Sequence, residues 1–140
     1  MVFFMHQLYF EQKLPLSLAE CWDFFSTPNN LEKLTPAYLG FSSEHIDQNM
    51  YSGQIIIHYI RPILGVPIKW VTEITHVDKP HYFIDEQRFG PYKFWHHEHR
   101  FKAIKQGVEI IDLIYYELPL GIVGTLINAI KVKRDIEAIF

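Results

Sequence analysis

Six β-forming stretches follow one another between residues 38 and 118, with only short turn segments between them. Glycine and proline mark several of the breaks, as in Gly90-Pro91 and in Gln106-Gly107. Segments this short do not accommodate the crossover that a parallel pair of strands requires. Consecutive strands are therefore predicted to pair as antiparallel neighbours in a meander. The predicted strands are Tyr38–Ile46, Gln54–Arg61, Ile68–Val77, His81–Phe89, Tyr92–Ile104 and Val108–Leu118.

A further strand and two short helices precede the meander. Val2–Lys13 is rich in strand-forming residues, and Pro15 ends it. Ser17 is predicted to cap the first helix, with Glu20 three residues later completing a capping box. A second short helix is predicted over Leu31–Leu34, where Thr35-Pro36 stops it.

The last twenty residues carry a helical pattern. Pro119 ends the sheet, and Gly121–Phe140 is predicted to form one long helix with an apolar stripe. The order of elements indicates an α+β fold in a single domain over residues 1–140. A strongly curved sheet of this kind leaves room for a cavity between the sheet and the long helix.

Composition narrows the classes of function. Aromatic residues make up 16% of the chain, which is more than a compact core of this size needs and fits a chain that lines a cavity. The net charge is −3 with no basic block, so no nucleic-acid partner is expected. The single Cys21 excludes an internal disulfide and fits a cytoplasmic location. No apolar stretch is long enough for a transmembrane span. No nucleotide- or phosphate-binding motif is present, so no cofactor is predicted.

The strand after Gly90-Pro91 carries the chain's densest group of histidines. Alternation places two of these residues on a face bounded by two aromatics, the set being Trp95, His97, His99 and Phe101. A metal site at His97 and His99 would need a third ligand from a neighbouring strand, with Glu73, Asp85, Glu86 and Asp112 as candidates. A polar pocket lining is the favoured interpretation, a general acid/base role is the second, and no metal is predicted.

Asp112 is a carboxylate in an otherwise apolar strand. Its face is shared by Val108, Ile110, Ile114 and Tyr116. A buried carboxylate needs a partner, and His97, His99 or Arg88 could supply one. A structural ion pair is favoured over a tuned acid/base group, because such pairs also shift pKa values.

These motifs resemble a known superfamily. The chain is similar to the helix-grip fold of the START and birch-pollen-allergen (SRPBCC) superfamily, in its bacterial ligand-binding or polyketide cyclase/dehydrase-like branch. The segments that carry the resemblance are Ser26-Thr27-Pro28 through Leu34-Thr35-Pro36, Trp70-Val71-Thr72-Glu73-Ile74, Asp85-Glu86-Gln87, Gly90-Pro91-Tyr92, Trp95, His97, His99, Phe101, Asp112, Tyr116, Leu118-Pro119-Leu120-Gly121 and Gly124. The resemblance implies a curved antiparallel sheet of about seven strands wrapped on a long C-terminal helix.

The resemblance also implies an apolar pocket between the sheet and the C-terminal helix. The first predicted function is binding of a lipid-, polyketide- or aromatic-like molecule there, as a carrier or sensor. The alternatives are a cyclase or dehydratase that uses His97, His99 and Asp112 as acid/base groups, and a partner-binding or membrane-peripheral protein. Whether the chain is an enzyme and whether it forms a homodimer stay open. The candidate ligand-binding residues are Tyr59, Trp70, Phe89, Trp95, His97, His99, Phe101, Asp112 and Tyr116.

Overall fold

A computed structural model describes residues 5–35, 37, 40–44, 49–61, 66–120, 134 and 137. The first strand is followed by two α-helices, a 3₁₀ turn lying between them at Pro28–Asn30. Six further strands come next. The elements are β1 (His6–Leu14), α1 (Leu18–Phe25), α2 (Leu31–Leu34), β2 (Ser42–Ser43), β3 (Ile55–Ile60), β4 (Ile68–Asp78), β5 (Tyr82–Phe89), β6 (Phe94–Ile104) and β7 (Gly107–Glu117).

The seven strands form one antiparallel sheet in the order β1-β7-β6-β5-β4-β3-β2. The predicted meander is confirmed from β2 to β7, since each of these strands pairs with the next along the chain. The first strand pairs with the last, so β1 and β2 lie at opposite edges. Within the predicted strand Tyr38–Ile46, the described residues form only the two-residue strand Ser42–Ser43.

Helix α1 begins as the sequence predicts. The Ser17 hydroxyl accepts from the Glu20 backbone N–H at 3.1 Å, and the Glu20 carboxylate accepts from the Ser17 backbone N–H at 2.9 Å. Its buried residues Cys21 and Trp22 pack on the sheet, where the Trp22 ring meets Phe101 edge to face at 5.8 Å. Burial raises the pKa of the Cys21 thiol to about 11, which leaves it protonated and unreactive at neutral pH.

We call the face of the sheet that packs on α1 the inner face. Residues that pair directly across two strands lie on the same face of a sheet. Phe83 on β5 pairs with His99 on β6, and His99 pairs with Asp112 on β7, so all three residues lie on the inner face. The opposite, outer face is charged and includes the ion pair between Arg88 and Glu73. The inner face includes Ile56, His58, Trp70, Thr72, Ile74, Phe83, Asp85, Trp95, His97, His99, Phe101, Val108, Ile110, Asp112, Ile114 and Tyr116.

The predicted C-terminal helix lies almost entirely outside the described residues. Of residues 121–140, only Arg134 and Glu137 are described, and both are helical. In the part of the chain that the structure covers, no helix combines the length and the apolar character needed to cross a bilayer.

Candidate functional site

Two histidines and two aspartates meet at the centre of the inner face, on three adjacent strands. Asp85 lies on β5, His97 and His99 on β6, and Asp112 on β7. The register sets Asp85 opposite His97 and His99 opposite Asp112. We refer to these four residues as the His–Asp quartet. His97 and Asp112 are buried, at 2% and 5% exposed, whereas Asp85 and His99 are half-buried beside them.

The hydrogen bonds of the quartet run diagonally across the strand register. His97 Nε2 donates to Asp112 Oδ1 at 2.8 Å, and His99 Nε2 donates to Asp85 Oδ2 at 2.6 Å. The second nitrogen of each ring faces the other carboxylate, at 3.7 Å from His97 to Asp85 and 3.3 Å from His99 to Asp112. The two imidazoles stack with their centroids 3.6 Å apart. His99 therefore contacts both carboxylates, whereas the second nitrogen of His97 lies beyond hydrogen-bond distance of Asp85.

The two imidazoles have opposite pKa shifts. Burial lowers the pKa of His97, and the neighbouring charge of His99 lowers it further, against the hydrogen bond to Asp112. Burial also acts to lower the pKa of His99, but hydrogen bonds to Asp112 and Asp85 outweigh it and raise the pKa to about 9. At neutral pH, His99 is therefore an imidazolium and His97 is a neutral imidazole.

Both carboxylates stay ionised. Burial acts to raise the pKa of Asp112, but hydrogen bonds from His97 and His99 outweigh it and hold that pKa well below its usual range. For Asp85, burial is likewise outweighed, here by the hydrogen bond from His99 and by electrostatic attraction to the neighbouring imidazoles, so its pKa is lowered. Two carboxylates and one imidazolium leave one net negative charge on the quartet.

An aromatic cluster adjoins the quartet and is bonded to it. The Trp95 indole N–H donates to Asp85 Oδ1 at 3.1 Å. Around Trp95, the Trp70 ring lies at 5.2 Å, nearly perpendicular, and the Tyr92 ring lies at 4.9 Å. Tyr116 is fully buried and meets Tyr92 edge to face at 5.9 Å. We call these four residues, Trp70, Tyr92, Trp95 and Tyr116, the aromatic wall.

The turn between β5 and β6 positions Tyr92 in that wall. The Gln87 side chain accepts from the Tyr92 backbone N–H at 3.1 Å and donates to the Tyr92 carbonyl at 2.6 Å. Gly90 allows this closure, because a Cβ at that position would lie 2.5 Å from the Gln87 side-chain oxygen. The Gly90-Pro91 turn that the sequence predicts therefore orients one wall residue.

The structure brings seven of the nine predicted ligand-binding residues to the inner face. Phe101 is among them, but it packs with α1 rather than with the wall. Tyr59 alternates with His58 and so lies on the outer face, where its hydroxyl approaches Glu44 at 3.4 Å. A β-bulge sets Phe89 opposite Val71, away from Trp70, and leaves it 63% exposed.

The partners of Asp112 are also settled by the structure. His97 and His99 both contact it, whereas the third predicted partner, Arg88, pairs with Glu73 through Nε at 2.8 Å. Asp85 makes more contacts in the site than the sequence indicates. It accepts hydrogen bonds from both His99 and Trp95 and so joins the quartet to the aromatic wall. The sequence names Asp85 as one of four possible metal ligands and within a segment of the superfamily resemblance, but not as a partner of His99 or Trp95, because those contacts depend on the register between β5 and β6.

The residues best placed to hold a metal ion are Asp85, His97 and His99, whose ligand atoms lie within 4.8 Å of one another. Two observations favour hydrogen bonds, rather than a bound metal ion, as the interaction that joins these residues. The imidazole rings are stacked with centroids 3.6 Å apart and planes 28° apart, so their in-plane lone pairs lie in separate, nearly parallel planes, which is unfavourable for binding one ion. Each ring is also within hydrogen-bond distance of a carboxylate. The absence of a metal stays a prediction.

Two open grooves of the described surface lie apart from the quartet. One, of about 310 Å³, is lined by Met5, Phe94, His96 and Tyr115 on the outer face. The other, of about 250 Å³, is lined by His81, Tyr82, Arg100, Phe101, Lys102, Glu109 and Ile111. Neither includes a residue of the quartet or of the aromatic wall.

Comparison with known proteins identifies the fold through solved structures. No family model matches the chain, and no curated protein matches it. A ginseng major latex-like protein from Panax ginseng is 19% identical, with 96% of each chain covered and a TM-score of 0.64. Ara h 8.0201 is 16% identical, with 96% of this chain and 95% of that chain covered and a TM-score of 0.64. A protein from Arthrobacter aurescens is 10% identical, with 95% and 80% covered and a TM-score of 0.70.

At these identities the likeness concerns the three-dimensional arrangement of the chain. It agrees with the seven-stranded antiparallel sheet and with the resemblance that the sequence motifs carry. The chain therefore has the fold of the START and birch-pollen-allergen superfamily.

Proposed function

We propose that this protein binds an apolar small molecule against the inner face of its sheet, as a carrier or sensor. The observation that supports the proposal is that the aromatic wall and the His–Asp quartet lie side by side on the inner face. The hydrogen bond from Trp95 to Asp85 joins them. Binding pockets for small molecules combine mainly apolar and aromatic walls with a few fixed polar groups. The superfamily resemblance implies such a pocket between the sheet and the C-terminal helix.

The wall has two zones that differ in exposure. Trp95 and Tyr116 are buried and form its base, whereas Trp70 and Tyr92 are only half-buried. A half-buried aromatic ring offers a surface on which a flat or flexible apolar molecule can pack. The quartet adds hydrogen-bonding groups and one net negative charge. It therefore favours neutral molecules over anions.

Binding can be tested with the uncharged fluorescent probe N-phenyl-1-naphthylamine and by native mass spectrometry of freshly purified protein. We expect the probe's fluorescence to rise on binding, and fatty acids, steroids or polycyclic aromatics to displace it. The variant Trp70→Ala should weaken probe binding about tenfold through loss of a packed ring. Phe94→Ala, on the outer face, is the matched control and should leave binding unchanged.

Two results together would contradict the proposal. These are a probe that does not bind, and native spectra that show only the mass of the bare chain before and after incubation with the ligand panel. Equal weakening by Trp70→Ala and Phe94→Ala would place binding somewhere other than the inner face.

A second candidate function is proton transfer to a polyketide-like substrate, as in a cyclase or dehydratase. The observation that favours it is the division of roles within the quartet. His99 carries a proton at neutral pH while His97, stacked on it, does not. Pairs of titratable groups whose environments separate their pKa values serve as acid and base in enzymes. Here His99 would donate a proton and His97 would accept one, with Asp112 holding both rings.

This candidate is tested by incubating the protein with a synthetic poly-β-keto thioester and identifying the products by mass spectrometry. We expect the protein to change the product distribution, and His97→Gln and His99→Gln to abolish that change while probe binding persists. A product distribution that is the same with wild type, either variant and buffer would remove the enzymatic candidate and leave the binding proposal standing.

A further inference from the structure

Two buried polar atoms beside the aromatic wall lack hydrogen-bond partners. They are His58 Nδ1 and Trp70 Nε1, and neither has a partner within the described chain. Leaving a buried polar group without a partner is unfavourable, so most such groups in folded proteins are satisfied by protein, water or a ligand. A third such atom, His6 Nε2, lies on β1, at the far side of the sheet.

His58 and Trp70 are direct cross-strand neighbours. His58 on β3 is paired with Trp70 on β4, so their side chains leave the sheet side by side on the inner face. His58 is 6% exposed, and its other flank packs against Phe41 with the ring centroids 5.0 Å apart. Trp70 in turn contacts Tyr92 and Trp95 of the wall. The two unpartnered atoms thus belong to neighbouring side chains on the inner face, each packed against aromatic rings.

The charge states of the two groups restrict what can satisfy them. Burial lowers the pKa of His58 to about 4, against the opposing charge of Asp85, so the ring is neutral at neutral pH. A neutral imidazole offers one donor and one acceptor, and the indole of Trp70 offers a donor only. A hydroxyl oxygen can accept from Trp70 while donating to His58. A carbonyl oxygen can accept from both if His58 carries its proton on Nδ1.

We infer that His58 and Trp70 form a subsite for a neutral oxygen, so that the ligand is an apolar molecule carrying a hydroxyl or carbonyl group. This inference rests on the proposed function and specifies the ligand class for the same face. A carboxylate is disfavoured there, because the ionised Asp85 already places negative charge within electrostatic range of His58. A purely apolar molecule would leave both polar atoms unsatisfied.

The test compares four naphthalenes of similar shape as competitors of N-phenyl-1-naphthylamine. We expect 2-naphthol and methyl 2-naphthyl ketone to displace the probe at concentrations about tenfold lower than 2-ethylnaphthalene, which lacks the oxygen, and 2-naphthoate to be the weakest. Trp70→Phe should bring all neutral competitors to the level of 2-ethylnaphthalene. The matched control is Trp22→Phe, which changes the tryptophan of α1 outside the aromatic wall, and it should keep the preference.

A second variant, His58→Phe, provides the same test if Trp70→Phe fails to fold. Equal displacement by all three neutral competitors in the wild-type protein would overturn the subsite and leave the proposed function intact. That result would mean that a retained water satisfies the pair. A preference that survives in both Trp70→Phe and His58→Phe would also overturn it. Failure of the probe and of all four naphthalenes to bind would defeat the proposed function and the subsite together.

Discussion

The two faces of strand β6 carry the same kinds of residue in different environments. On the outer face, His96 lies 3.4 Å from Glu98, and Arg100 donates to the same carboxylate at 2.7 Å. The Arg100 side chain is 55% exposed there. On the inner face, His97 and His99 bond to aspartates, and their side chains are 3% and 15% exposed. Both networks join cations to carboxylates, but the inner one is less exposed to water than the outer one.

The difference shows that burial and register, rather than residue type, decide what a histidine does in this protein. Outer-face charges are screened by solvent, so pairs there contribute about 0–1 kcal/mol to stability. Inner-face charges are held apart from water, so each must be matched by a partner within the sheet. The quartet is therefore the part of β6 where substitution and pH should have large effects.

The largest expected effect comes from removing the cation of the quartet. His99→Ala leaves two buried carboxylates with one neutral imidazole, and we expect the free energy of unfolding to fall by about 3–5 kcal/mol. His96→Ala, on the outer face of the same strand, should cost less than about 1 kcal/mol. Urea unfolding followed by circular dichroism measures both. Similar losses for the two variants would show that the faces do not differ as described.

The pH dependence of stability should come next in size. Because the pKa of His99 rises from 6.5 to about 9 on folding, its contribution is fully present below pH 6.5 and is lost as the pH rises towards 9. This contribution is on the order of 3 kcal/mol. His97 acts in the opposite direction, since its pKa is lowered and its contribution is lost only as the pH falls below 6.5.

The measurement is urea unfolding at several pH values between 6.5 and 9. Wild type and His96→Gln should both lose stability across this range, whereas His99→Gln should be nearly flat. A slope in His99→Gln that equals the wild-type slope would assign the titration to another group.

The smallest of the three effects concerns the bond between wall and quartet. Trp95→Phe keeps an aromatic ring but removes the N–H that donates to Asp85, and we expect a loss of about 2 kcal/mol. Phe94→Leu, one residue earlier and 38% exposed, should change stability by about 0.5 kcal/mol or less. Thermal unfolding of the two variants gives the comparison. A loss for Trp95→Phe no larger than that for Phe94→Leu would show that the indole bond contributes nothing to stability.

The sequence alone determined the elements whose signals are local. The capping box of Ser17 and Glu20, the Gly90-Pro91 turn and the antiparallel meander all follow from residues close together in the chain. Alternation also predicted which residues of β6 and β7 share a face, and their burial agrees. These predictions succeed because period-two patterning and turn chemistry do not depend on distant partners.

Only the tertiary structure decided which side chains meet across strands. The diagonal bond that joins Asp85 to His99 depends on the register of β5 against β6, which is set by pairing along their whole length. The bulge that moves Phe89 away from Trp70 is likewise a property of the β4–β5 pair. The unpartnered nitrogens of His58 and Trp70 emerge only when β3 and β4 are set side by side in a buried face. Contacts between residues far apart in the chain depend on how the strands pair. Local sequence patterns do not specify the register of that pairing.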